Sequence, residues 1–186
     1  GAHILDIGGE STRPGASQPT AAEELARVLP VVRHACTLGV PVSVDTSTPD
    51  VIAAVLDAGA DIVNDVRALS RPGALERVAR HDSAGVCLMH MQGEPQTMQS
   101  APVYGDVVQE VADFLSRRAG ALEQAGVNRD RIVVDPGIGF GKTAEHNLAL
   151  LSRQAELIAR LPYPLLVGWS RKSTLGAVTG RRMADE

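Results

Sequence analysis

The chain has 186 residues, with 18 Lys and Arg against 22 Asp and Glu, a formal net charge of −4. Apolar residues make up 44% and charged residues 22%, a balance that excludes a disordered chain, a collagen-like repeat and a coiled coil. The acidity argues against a dedicated nucleic-acid binder, and the length suits one domain, over residues 1–186, with a sizeable core.

With one Trp, two Tyr and two Phe, that core must be aliphatic. Cys36 and Cys87 show no CxxC spacing, so neither a disulfide scaffold nor a zinc site is expected, and a reducing cytoplasm is the default location. No apolar run reaches the length of a membrane span, and no signal peptide is expected. The chain opens at Gly1 directly on a strand and stops just past a helical segment, so it reads as the middle of a longer domain.

Short apolar runs alternate with helical patterns. A strand over 3–7 comes first, followed by a helix over 23–38 with Leu25, Val28, Leu29 and Val32 on one stripe and Pro30 inside it. A strand over 41–45 (PVSVD) leads to a helix from Pro49, capped by Ser47 or Thr48 and closed near Gly59. A strand over 61–64 precedes a short helix over 74–80, and a strand over 85–89 precedes a long helix over 106–124. Between these last two lies the longest irregular stretch, 91–104 (MQGEPQTMQSAPVY), and long loops of that kind often carry function. A strand over 131–135, a helix over 148–161, a sixth strand over 164–167 and a helix from Thr174 complete the order.

Most of these strands are continuous apolar runs, as in parallel sheets buried on both faces. They start about every 32 residues, a normal βα repeat. A doubly wound sheet and a (β/α)8 barrel both fit. The barrel takes about 250 residues, so six units would leave two outside the chain.

Polar residues stand where the strands end: Asp6, Asp45, Asn64 with Asp65, His90, Asp135, and then Ser170, Arg171 and Lys172. Each alone is explained by helix capping. Six ends at once favour a shared site, because a parallel fold brings them to one face and buried carboxylates there are costly without a partner. Asp45, Asn64, Asp135 and Lys172 suit a flat polar heterocycle: carboxylates accept paired N–H bonds, an amide serves a mixed edge, and an ammonium donates to a ring carbonyl or nitrogen.

The loop GGESTRPG over 8–15, with two hydroxyls and Arg13, is a candidate anion site. The stretch GIGFGKT over 137–143 resembles the end of a P-loop but misses it by one position, since the first glycine would fall on Pro136. Phe140 inside it either packs the loop or stacks on an aromatic ligand. His90 is the histidine best placed for the site, with a core role equally open. No Gly-x-Ser-x-Gly elbow is present.

DIGGESTRPG, SVDTS, VNDV, LMHMQG, DPGIGFGK and GWSRKS, in this order, together resemble the dihydropteroate synthase family of folate biosynthesis. The resemblance runs over essentially the whole chain. It implies a TIM barrel of which these are the second to seventh strands. It also implies a transferase that joins 4-aminobenzoate to 6-hydroxymethyl-7,8-dihydropterin diphosphate with Mg2+ assistance, and a homodimer.

By position, Asp45, Asn64, Met89, Asp135 and Lys172 correspond to that family's pterin pocket, with Asp45, Asp135 and Lys172 implied as catalytic. Thr12, Arg13, Pro14, Phe140, Ser170, Arg171 and Ser173 fall where the family places its diphosphate, 4-aminobenzoate and sulfonamide contacts. The family's Asn-Val-Thr-Pro-Asp-Ser-Phe segment, which holds the metal, and its late Arg-x-His pair are absent from this sequence; no metal ligand is therefore expected in this chain. Two alternatives remain open: a pterin- or folate-binding barrel of the methyltransferase type, and a non-catalytic pterin-binding fragment.

Overall fold

The computed structural model describes residues 1–13, 15–170 and 172–180, apart from the side chains of Ser173 and Ala177. Five parallel strands form one sheet in chain order: β1 (Leu5–Gly8), β2 (Val42–Asp45), β3 (Ile62–Asp65), β4 (Gly85–Met89) and β5 (Ile132–Asp135). The helices between and after them are α1 (Ala21–Ala35), α2 (Pro49–Asp57), α3 (Ala74–Ala79), α4 (Val107–Gln124), α5 (Ala144–Ser152), α6 (Gln154–Arg160) and α7 (Ser173–Thr179). A 3-10 turn, Arg129–Arg131, leads into β5. None of the described helices is long and apolar enough to cross a membrane.

The register divides each strand into two sets of side chains. Val42 and Val44 pack with Val28, Val32 and Ala35 of α1 and Val51 and Val55 of α2. Val63, Val86, Leu88, Ile132 and Val134 pack with Ile52 and Leu56 of α2 and with Val108, Val111, Leu115 and Leu122 of α4. This helix-facing side is almost entirely aliphatic and almost fully buried. The other face carries Asp6 and Ser43, which pair, then Asp45 and Asn64, then Cys87, and Met89 opposite Asp135.

Helix ends follow local chemistry. α1 starts before 23 because Thr20 caps it: the Thr20 hydroxyl accepts from the Glu23 N–H at 3.3 Å and Glu23 accepts from the Thr20 N–H at 2.8 Å. Thr143 and His146 make a similar reciprocal cap, so α5 begins at Ala144 instead of 148. The single helix expected over 148–161 is two. It resets at Arg153, whose guanidinium forks onto both oxygens of Asp106 at 3.0 Å and also holds Glu156.

The expected sixth strand over 164–167 is reduced to one bridge, Val134 to Leu165. Val134 N–H donates to Pro164 O at 3.0 Å and Leu166 N–H to Val134 O at 2.9 Å. Pro164 has no N–H to extend the ladder, and Leu166 is 45% exposed.

Candidate functional site

The polar face of the sheet brings Asp45, Asn64, Met89 and Asp135 together, with Asp6 and Cys87 among them. Asn64 donates its amide to Asp6 at 3.3 Å. Asp45 receives no hydrogen bond on its carboxylate among the described residues. Its pKa is pushed up to about 7, first by burial and then by Asp6 and the other carboxylates nearby. Burial, followed by the charges of Asp135, Asp6 and Asp45, also raises the Cys87 thiol.

Asp135 is buried and accepts from the Gly137 N–H at 2.7 Å. Burial raises its pKa, while the Gly137 bond, Lys142 and Lys172 oppose that rise. Lys172 is half-buried, and its Nζ lies 4.2 Å from the centre of the Phe140 ring, a cation–π contact. Burial lowers the Lys172 pKa, and Asp135 works against this. A carboxylate, an ammonium and an aromatic face therefore meet at the end of β5.

Thr12 is half-buried, and Arg13 and Ser170 are exposed. Among the described residues their side chains make no hydrogen bond to this group. Pro14, Arg171 and the Ser173 side chain lie outside the described residues.

The GIGFGKT stretch is not a phosphate cradle. Lys142 is buried, and its Nζ donates to the carbonyls of Gly137 at 3.0 Å, Phe140 at 2.9 Å and His90 at 3.2 Å, with the His90 ring at 2.9 Å. Burial lowers its pKa to about 7. It also lowers that of His90 to about 3, which keeps the imidazole beside the lysine uncharged.

The glycines serve close packing. A Cβ at Gly137 would collide with the His90 carbonyl, and one at Gly141 would lie 2.5 Å from the Gln92 carbonyl. The 91–104 stretch clasps this loop: Gln99 donates to Gly139 O at 2.6 Å and Tyr104 to Gly141 O at 2.7 Å. Pro136, which breaks the P-loop pattern in the sequence, agrees with this structural role of Lys142.

The whole chain, residues 1–186, matches the family model described as pterin binding enzyme. The chain belongs to that family. It is similar to the dihydropteroate synthase of Neisseria meningitidis serogroup B, at 50% identity over 189 residues, covering 100% of this chain and 66% of the relative.

Among solved structures, the Burkholderia cenocepacia dihydropteroate synthase complexed with 7,8-dihydropteroate matches with a TM-score of 0.89 at 52% identity, covering 98% of this chain and 67% of that one. The Xanthomonas albilineans dihydropteroate synthase with 4-aminobenzoic acid matches with a TM-score of 0.90 at 47% identity, covering 98% of this chain and 64% of that one. The five-stranded sheet is thus part of the TIM barrel of these enzymes, and the chain spans 62–66% of the length of curated relatives.

Proposed function

We propose that the protein is a dihydropteroate synthase, joining 4-aminobenzoate to 6-hydroxymethyl-7,8-dihydropterin diphosphate to give 7,8-dihydropteroate and diphosphate. The observation that carries this reading is the row of Asp45, Asn64, Met89 and Asp135 on one sheet face, with Lys172 and Phe140 at its end. A pterin presents an amino-pyrimidinone edge of adjacent N–H donors beside acceptors. Asp135 takes the donors, Asn64 the mixed part of the edge, and Lys172 donates to the ring carbonyl or nitrogen. Met89 packs on the ring, and Phe140 lies where 4-aminobenzoate or a competing sulfonamide would stack.

In the reaction the C–O bond between the pterin methylene and the diphosphate breaks, and its electron pair leaves on oxygen. The amine lone pair of 4-aminobenzoate forms the C–N bond, and the displaced proton goes to water. Positive charge develops on the pterin methylene, and the carboxylates of Asp45 and Asp135 favour it. The amine attacks in its neutral form, so no strong base is required. Thr12, Arg13, Pro14, Ser170, Arg171 and Ser173 belong to the diphosphate and 4-aminobenzoate side of this proposal, with Arg13 offsetting charge on the leaving group.

Mg2+ is expected with such a leaving group. Among the described residues no group of three His, Cys, Asp or Glu side chains is arranged to hold a metal ion. A cytoplasmic homodimer completes the proposal.

The test is binding and turnover on the purified protein and on Asp135→Asn. Pterin should raise the melting temperature of the first and not of the second. Diphosphate release should depend on 4-aminobenzoate. Pterin binding without such release would replace the synthase with a pterin-binding barrel of another kind, and no pterin-dependent shift would sink the site assignment.

A further inference from the structure

We propose that Arg67 is a positioning residue that sets the Thr12–Arg13 segment for the diphosphate end of the substrate; this rests on the synthase reading above. A single guanidinium joins the turns after the first four strands. Arg67 stands in the turn after β3. It forks onto Glu10 of the turn after β1, with Nη2 to Oε1 at 2.9 Å and Nη1 to Oε2 at 3.3 Å. Nη1 also donates to the Ser47 hydroxyl of the turn after β2 at 3.0 Å, and Nε to Glu94 of the turn after β4 at 2.9 Å. The Arg67 and Glu10 side chains are 6% and 7% exposed, whereas Glu94 is 66% exposed. The Glu10 arm is therefore the one shielded from solvent and salt.

The turn that presents Arg67 is rigid. Asp65 accepts from the N–H groups of Arg67 and Leu69, both at 2.8 Å, and also accepts the Ser47 hydroxyl. Ala68 and Leu69 are held at φ 50° and 56°, a left-handed conformation that non-glycine residues adopt only under constraint. The constraint comes from α4, where Arg118 donates to Ala68 O at 2.7 Å and Leu69 O at 2.6 Å. Strain is thus spent to fix the Arg67 backbone.

Glu10 is the last anchored residue before Thr12 and Arg13. Gly9 is pinned against Val28, and its carbonyl accepts from Arg27 at 2.9 Å. Beyond Glu10, the described hydrogen bonds of residues 11–16 are local: Arg13 N–H to Ser11 Oγ at 3.5 Å and Ala16 N–H to Arg13 O at 3.1 Å. Where Thr12 and Arg13 lie is therefore decided by how firmly Glu10 is held. A planar guanidinium can hold Glu10 and Ser47 at once; an ammonium cannot reproduce that fork.

The experiment compares the dissociation constants of 6-hydroxymethylpterin and of its diphosphate ester for the purified protein, Arg67→Lys, Glu10→Gln and the double variant, each checked by thermal melt. The bare pterin should bind all four within about twofold. The diphosphate ester should weaken about tenfold or more in each single variant. The double variant should lose no more than a single one, because both remove the same contact. If Arg67→Lys does not fold, Glu10→Gln carries the comparison.

Equal weakening of both ligands would make Arg67 a structural residue only. An unchanged diphosphate ester, or losses that add in the double variant, would also overturn the proposal. An unsubstituted protein that binds neither ligand would remove the synthase reading and this inference with it. One that binds the pterin normally but gains nothing from the diphosphate would overturn this inference and leave the pterin site standing.

Discussion

The two faces of one sheet follow opposite rules. Toward the helices, Val42, Val44, Val63, Leu88, Ile132 and Val134 are fully buried and apolar, and the clusters they join are mostly aliphatic. Toward the other side, the sheet sets Asp6 beside Asp45 and Asn64, and Asp6, Asp45 and Asp135 all act on the Cys87 thiol. Burial works for stability on the first face and against it on the second, where it lifts carboxyl pKa values above their ordinary range. The first face holds the fold, and the second is the proposed place of the chemistry. The difference becomes measurable when one side chain is removed from each.

The largest effect belongs to the helix-facing side. Leu115 of α4 is fully buried in the core beneath β4 and β5. Leu115→Ala should destabilise the protein by about 2–5 kcal/mol in denaturant unfolding. Pterin affinity, measured well below the melting temperature, should change little. A loss of affinity as large as the loss of stability would show that the two faces are not separable.

Lys142 tests the seam between them. It fills one buried position with a donor shared by three carbonyls and the His90 ring. Lys142→Met keeps the volume but takes the donor from the Phe140 and His90 carbonyls and the His90 ring, while Gly137 O keeps the Phe140 N–H, which should cost about 1–3 kcal/mol. Phe140 rides on the same loop, so the variant should also weaken 4-aminobenzoate more than pterin. Urea unfolding and ligand titration on one preparation would check both; equal weakening would mean that Lys142 supports the face as a whole.

These two residues also show what the sequence makes legible. Leu115 stands in a helical apolar stripe, and such stripes, with the continuous strand runs, announce the αβ alternation. They are readable because one periodic pattern decides each element. The strand-end carboxylates are readable because a parallel sheet collects its strand ends on one face. Lys142 is not legible in this way. Its neighbours Gly137 and Phe140 are close in sequence, but His90 lies 52 residues away, and only the fold sets a carbonyl cage around a lysine that otherwise looks like a phosphate ligand. Arg67 is hidden for the same reason, since its Glu10 partner is 57 residues away. The sixth strand shrinks to a bridge because its apolar residues suit a strand while a ladder needs donors, and Pro164 supplies none.

The smallest effect has the opposite sign and separates the faces most sharply. In the folded protein Asp45 titrates at about 7, against an ordinary value of 3.8. Below 3.8 it is protonated whether folded or unfolded, and burial carries no charge penalty. Between these two values the unfolded chain has released the proton and the folded chain still holds it, so the folded state binds more protons and stability falls as pH rises. Above 7 the carboxylate is charged in both states and the penalty is complete. Asp45 is only partly shielded from solvent, so Asp45→Asn should stabilise the protein at pH 8 by about 0.5–2 kcal/mol, less than the full linkage, and the gain should vanish toward pH 4. Pterin binding should be lost in the same variant at every pH. Melting curves from pH 4 to 8 for both proteins would decide it: a variant no more stable at pH 8 than the parent would mean that the carboxylate is hydrated there, and the polar face would then be open to water instead of carrying the shielded charge proposed to favour a cationic transition state.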